Sequence, residues 1–424
     1  MRTLTILSAS ILTALAACAP ASAATISPTG VRFPQAAVNA RGTTLVAWER
    51  TSDKYALEVR TGRSPLHLGS TQRLSRSGYQ AQVAVGGDGT MAVAWLEYGD
   101  HGSRSLRAAV AGPGERLGKG QLLDRRVANM APLGVTVQPN GRVVALWRRS
   151  GSQLAFAMAT PNKAFGHARD VTAMGSNTGS IALDPRDGAV VLAYGTPPSF
   201  GPPPVNQQAA VRTLSPSATA FSAPTVLTAT GPGTGPLNEA RPIAVSGPGG
   251  NGVAYSLSGE PSSLNIARRG ADGAWLAAEH ITTTNYGENM GAAGLRATLP
   301  AGGAAIAAWS IATESPDGLG GVVSSRNVAS IAQAGAPFGP PQALTPDGGR
   351  FGAAAVASAG GEGFVASAAP RGPVLVATRA AGATGLRTRT IVARGDGDIA
   401  LAAGGRHVLA IYQQRDRLRL TVVR

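Results

Sequence analysis

The sequence predicts an all-β fold: an eight-bladed β-propeller of four-stranded antiparallel blades, closed by the N-terminal strand completing the last blade. Three observations predict it. Three strand landmarks recur in fixed order about every 50 residues. Glycine (56) and proline (29) are abundant while aromatics make up only 5%, which suits many short strands and tight turns better than one large core. Finally, the outer strand is found seven times beside eight copies of the other strands, and the missing copy lies at the opposite terminus.

The first landmark is a hairpin of two apolar strands around a Gly-rich turn, with the second strand often ending in an aromatic. It reads QAAVNARGTTLVAW at Gln35–Trp48, QVAVGGDGTMAVAW at Gln82–Trp95 and GVTVQPNGRVVALW at Gly134–Trp147. Further copies end at Tyr194, Tyr255, Trp309, Ser367 and Tyr412. Asp-Gly, Asn-Gly and Gly-Gly tolerate the positive φ of a tight hairpin, so the turn and the fold agree. The recurring aromatics are expected to fill the gaps between blades rather than to form a ligand cage. The second landmark is a third strand, as in ALEVRTG from Ala56, QLAFAMA from Gln153 and PVLVATR from Pro373. The third is an outer strand, roughly aromatic-Gly-x-x-Gln-x-Leu-Ser/Thr, at 68–75, 117–124, 165–172, 221–228, 275–282, 338–345 and 386–393. ATISPTGVRFPQAAV from Ala24 aligns with ALTPDGGRFGAAAV from Ala343, so Ala24–Ser27 is expected to complete the last blade. A single blade cannot bury both faces, and stacking in a closed ring hides the terminal edges.

Ahead of this domain (24–424) lies a leader. Arg2 and the apolar run TLTILSASILTALAA are too short to span a bilayer but suit a signal peptide, residues 1–23, cut after Ala21-Ser22-Ala23. Alternatively, Leu15-Ala16-Ala17-Cys18 resembles a lipobox, with residues 1–17 removed and Cys18 lipidated. Export is expected either way, to a secreted or lipid-anchored monomer whose one contact with the membrane is that anchor. Cys18 is the single cysteine, which excludes an intramolecular disulfide.

The net charge of +15 comes almost wholly from arginine, the lysines being Lys54, Lys119 and Lys163. It fits an anionic partner such as an envelope polymer, or a composition bias that fills surfaces with Arg. No basic run interleaves with aromatics, so nucleic acid is not expected. The histidines (His67, His101, His167, His280 and His407) lack metal-ligand spacing, and no phosphate-cradling or nucleophile-elbow motif occurs, so neither metal nor cofactor is expected. Asp396 and Asp398 in Gly-Asp-Gly-Asp form the best oxygen cluster, short of what calcium takes.

The repeat layout resembles that of sialidase-like propellers, whose Asp-box lies between the third and fourth strands. ARRGADGAWLAAEHIT carries Asp272, Gly273 and Trp275 in that segment without the leading serine. Sialidases have six blades, and their arginine triad, tyrosine nucleophile and acidic partner have no counterparts that can be placed here. The resemblance implies fold, not activity.

By fold analogy, ligands are expected where loops entering each blade meet the axial funnel. Those loops offer Arg32, Tyr79, Gln80, Asn129, Asn177, Asn238, Glu239, Arg241, Tyr286, Glu288, Asn289, Arg350, Asp396 and Asp398. Such groups suit a glycan, so the expected function is ligand binding or scaffolding with a carbohydrate or envelope polymer as partner. A glycan hydrolase or lyase using Glu239 and Glu288 as acid and base is the alternative, and a protein-interaction platform built on the inserts Gly195–Val205 and Glu314–Gly320 is the third reading.

Overall fold

The computed structural model describes residues 23–51, 55–99, 103–128, 133–150, 153–161, 163–172, 178–196, 208–227, 240–257, 262–283, 288–290, 295–314, 322–345, 353–369 and 371–424. Their strands form eight antiparallel sheets, and no α-helix occurs among the described residues. Blade 1 runs Val31–Val38, Thr44–Arg50, Ala56–Ser64, then two short outer pieces, His67–Leu68 and Gln72–Ser75, both paired with the third strand. Blade 2 runs Gly78–Val85, Met91–Tyr98, Arg104–Ala111 and Gln121–Asp124. Blades 3 to 7 repeat the order, and blade 8 consists of Ile399–Gly404, His407–Gln414, Arg417–Val422 and Ala24–Thr25.

Second strands are buried along nearly their whole length, as in Leu45–Glu49 and Val190–Gly195. Each is sandwiched between neighbouring blades, which explains why these strands read as unbroken apolar runs instead of alternating. The aromatic at the strand end plugs the seam to the preceding blade. Trp95 packs with Leu45 and Leu57 of blade 1, Trp147 with Leu96 and Leu106 of blade 2, and Trp48 with Leu409 and Leu418 of blade 8. Gly120 is demanded by this packing, because a Cβ there would lie 2.1 Å from the Trp95 ring. The structural role expected for these aromatics therefore holds.

Ring closure also holds. Ala24 pairs with Leu420 and Thr25 with Arg419, the Ile26 N–H donates to Leu418 O (3.0 Å), and the Leu418 N–H donates to Ser27 Oγ (2.7 Å). Ile26, Val31, Val46 and Trp48 share one apolar cluster with Leu409, Ile411, Leu418 and Leu420 across the seam.

Outer strands are shorter than expected. The segment at 338–345 forms a regular strand at Gln342–Ala343, with Phe338 bridging Ala332 ahead of it, and among the described residues that at 221–228 does so at Thr225–Leu227. Pro340, Pro341 and Pro224 lack the N–H a ladder needs, so the pairing that starts at Phe338 and Ser222 is interrupted at them and resumes after. Their aromatics act as plugs instead: Phe165 and Phe221 are buried against inter-blade clusters.

Candidate functional site

The first-to-second-strand hairpins emerge on one face of the ring. The links into each blade and the second-to-third-strand loops emerge on the other. On that second face, blades 8, 1 and 2 bring a set of aromatic and acidic groups together.

Two matching bulges build it. The first strands of blades 1 and 2 lose register with their partners between Arg32 and Gln35 and between Tyr79 and Gln82. Within the bulges Phe33 has φ 52° and Gln80 φ 49°, the left-handed region that a side chain as bulky as Phe rarely enters. Each turned N–H is held by a carboxylate. Phe33 N–H donates to Asp398 Oδ2 (3.1 Å), and Gln80 N–H donates to Glu49 Oε1 (2.6 Å). Asp398 therefore joins blade 8 to blade 1, and Glu49 joins blade 1 to blade 2. Asp396 is bound in turn by the N–H of Asp416 (3.1 Å).

Glu49 is buried, with 4% of its surface exposed. Burial pushes its carboxyl up to about 7, the Gln80 N–H opposing this and the charge of Asp398 adding to it. Arg32 stands directly opposite Glu49 in the ladder with its side chain exposed.

Beside the acids lies an aromatic platform. Tyr79 stacks on Tyr98 with ring centroids 4.1 Å apart and planes 11° from parallel, and Tyr55 tilts against Tyr98 at 6.0 Å. The Arg104 guanidinium sits 6.0 Å from the Tyr98 centroid. Tyr79 is buried, and its phenol is pushed up to about 12, first by burial and then by the adjoining Tyr98. Tyr55 and Tyr98 are 48% and 40% exposed, and Phe33 is 52% exposed. Three exposed rings on one face is unusual where the other repeated aromatics are buried plugs. Tyr55 also has positive φ (68°).

The residues expected to line the funnel divide unevenly. Arg32, Tyr79, Gln80, Asp396 and Asp398 belong to this assembly, although Arg32, Tyr79 and Gln80 are strand rather than loop residues. Arg241 is exposed on the first strand of blade 5, away from it. Glu288 and Asn289 are also not in a loop: their backbones pair with Thr313 and Ala312 in blade 6. Asn129, Asn177, Asn238, Glu239, Tyr286 and Arg350 lie outside the described residues, as do Cys18 and most of both inserts. Asp396 and Asp398 are braces at blade seams, and no group of three or more metal-ligating side chains occurs among the described residues. Sequence reasoning missed Phe33, Glu49, Tyr55, Tyr98 and Arg104. The available signal was the break in apolar patterning at RFPQ and GYQAQ, which marks a bulge.

No protein-family model matches the chain, and no curated protein matches it significantly. The chain is similar to solved structures. A lectin from Burkholderia pseudomallei is 12% identical with a TM-score of 0.56, over 86% of this chain and all of that one. A polysaccharide lyase, an ulvan lyase, is 10% identical with a TM-score of 0.48, over 87% of this chain and 96% of that one. An α-L-arabinanase from Penicillium chrysogenum is 13% identical with a TM-score of 0.41, over 69% and 92%. At such identity the lectin match establishes a common propeller fold and nothing finer.

Proposed function

We propose that this chain is an exported carbohydrate-binding propeller whose binding site is the platform over blades 8, 1 and 2. The observation that carries the reading is the stacked Tyr79–Tyr98 pair with Tyr55 exposed beside it and Phe33 exposed on the same face. Exposed rings offer apolar faces on which the C–H face of a sugar lies flat, while neighbouring carboxylates accept hydroxyl hydrogens and Arg104 donates. A lectin shares the fold, which is compatible with the reading without carrying it. Export, with either leader exit, places such a protein where glycans are found.

The test is a glycan array on the mature protein, followed by titration of the best ligand. Tyr98→Ala and Tyr55→Ala are expected to weaken binding about tenfold or more while leaving the melting temperature within a few degrees. Retained affinity in both variants would remove the platform from the function.

Glycosidic cleavage is the second reading, and Glu49 is what favours it. A carboxyl raised to about 7 beside a second carboxylate is an arrangement able to hold a proton for a leaving group. Against it stands the burial of Glu49, which leaves little of the acid for a substrate to touch. Turnover of a fluorogenic glycoside that disappears in Glu49→Gln would establish cleavage over simple binding.

A further inference from the structure

The last 54 residues hold ten arginines against Asp396, Asp398 and Asp416, and so carry +7 of the chain's +15. The sheet register shows where these cations go. Residues opposite one another in an antiparallel pair share a sheet face. Arg389 stands opposite Val376 and Arg387 opposite Thr378, two residues along on the same face, and Val376 packs against Val408 and Ala410 of blade 8. Both arginines on the outer strand of blade 7 therefore face blade 8. In blade 8, Arg419 stands opposite Tyr412 and Arg417 opposite Gln414, and Tyr412 packs against Ala368 and Val374 of blade 7. These two arginines face back toward blade 7.

Four guanidinium groups thus line the two walls of one inter-blade groove. Arg389 reaches across it, donating to Val423 O (3.3 Å), and Arg419 donates to Thr25 Oγ1 of the closing strand. The Nε of Arg419 is shielded from solvent and has no acceptor. Arg394, whose carbonyl accepts from Gln414 (3.4 Å), extends the line at the loop end. The carboxylates of these blades lie at the groove's ends or beyond it. Glu362 is bound to Arg424 at the hairpin turn, while Asp396, Asp398 and Asp416 are in the loops of the opposite face. The closing strand is only two residues long, against six for the outer strand of blade 7, and Arg387, Arg389 and Arg417 are exposed.

We propose that this groove binds a linear anionic polysaccharide, one bearing carboxylate or sulfate groups along its length. Cations on two facing walls suit an extended chain lying between them, which contacts both. A flat bilayer surface cannot enter such a groove. Stacking platforms of the kind single-stranded nucleic acid requires are absent among the described residues here, since Phe364 and Tyr412 are buried. Arginine, rather than lysine, binds carboxylate and sulfate through two parallel bonds. The site is distinct from the tyrosine platform and does not depend on it.

The test is binding of the mature protein to immobilised dextran sulfate and polygalacturonate, with unmodified dextran as the neutral counterpart. Binding is expected to both anionic polymers, to weaken with salt, and to be absent with dextran. Arg387→Gln/Arg389→Gln and, separately, Arg394→Gln/Arg417→Gln are each expected to weaken it about tenfold or more, the loss of two charge-assisted contacts. Arg125→Gln/Arg126→Gln removes the same charge from exposed positions between blades 2 and 3 and is expected to leave binding intact. An equal loss in the Arg125/Arg126 variant would reduce the effect to net charge and overturn the site. Stronger competition by single-stranded DNA, or equal groove-dependent binding to phosphatidylglycerol vesicles, would overturn the polysaccharide as occupant.

Discussion

At the scale of single residues, Glu49 is the most consequential side chain, and its pH behaviour follows from its place. Its carboxyl is raised to about 7 in the folded chain from an ordinary value near 4.5. The folded state therefore holds a proton that the unfolded state has released between those values. The stability this contributes is complete below about 4.5 and is lost as pH rises through about 7. Above that, a buried ionised carboxylate costs about 3 kcal/mol. Glu49→Gln keeps an acceptor for the Gln80 N–H without the charge, so it is expected to be more stable than the parent at pH 8 by up to about 3 kcal/mol. It is also expected to flatten the fall in stability between pH 4.5 and 7. Denaturant melts at pH 5 and pH 8 decide this, and a variant less stable than the parent at pH 8 would refute it. Asp184 on the opposite face has the contrary sign. Burial raises its carboxyl, but Arg186 and Arg269 together outweigh this and hold it low, so its contribution disappears only as acid protonates it. Neither environment was legible in the sequence, where Glu49 reads as the polar end of an apolar strand. A positive φ on the first strand of the next blade gives it its partner; GYQAQ marks that bulge, but patterning does not say which carboxylate meets it.

At the scale of elements, legibility is higher because the repeats restate each strand. Hairpins, seam aromatics and the displaced closing strand could be read from residue types with backbone consequences: turn glycines, β-prone runs and a segment aligned across the repeat boundary. Outer-strand length could not, since how far a segment pairs without a break depends on which N–H groups its prolines remove. Nor could the split first strand of blade 6, Glu288–Met290 and Arg296–Thr298, where a segment read as loop joins the sheet. The closing strand makes the sharpest prediction at this scale. Removing Ala24–Gly30 exposes Leu418 and Leu420, deletes the buried Ile26 and opens a strand edge. A loss of at least about 3 kcal/mol is expected from the apolar burial and the broken backbone bonds. Edge-to-edge association is expected to accompany it. Calorimetry and size-exclusion chromatography measure both, and a truncated chain that melts like the parent would show that blade 8 stands without its fourth strand.

At the scale of the molecule, the eight blade seams are not equivalent. Seven blades are each built from one continuous stretch of chain, whereas the sheet of blade 8 is completed by a strand drawn from the other end of the sequence, through two paired residues. Every other blade keeps its place once its neighbours fold, but here nothing covalent prevents the end strands from parting. Unfolding is therefore expected to begin at blade 8. A covalent staple distinguishes this from uniform melting. The Ile26 N–H bond to Leu418 O marks that pair as hydrogen-bonded, so Thr25 and Arg419 fall at the alternate, closer position, where Cα atoms come within disulfide range. Thr25→Cys/Arg419→Cys would close a loop of nearly the whole domain. On the chain-entropy account such a crosslink stabilises by up to about 5 kcal/mol. If the ring opens at blade 8, the oxidised variant is expected to unfold much more slowly than its reduced form as well as to melt higher. Equal unfolding rates with and without reductant would place the first opening at another seam. A slower rate confined to the oxidised protein would identify the two-residue clasp as the point on which the ring's lifetime depends.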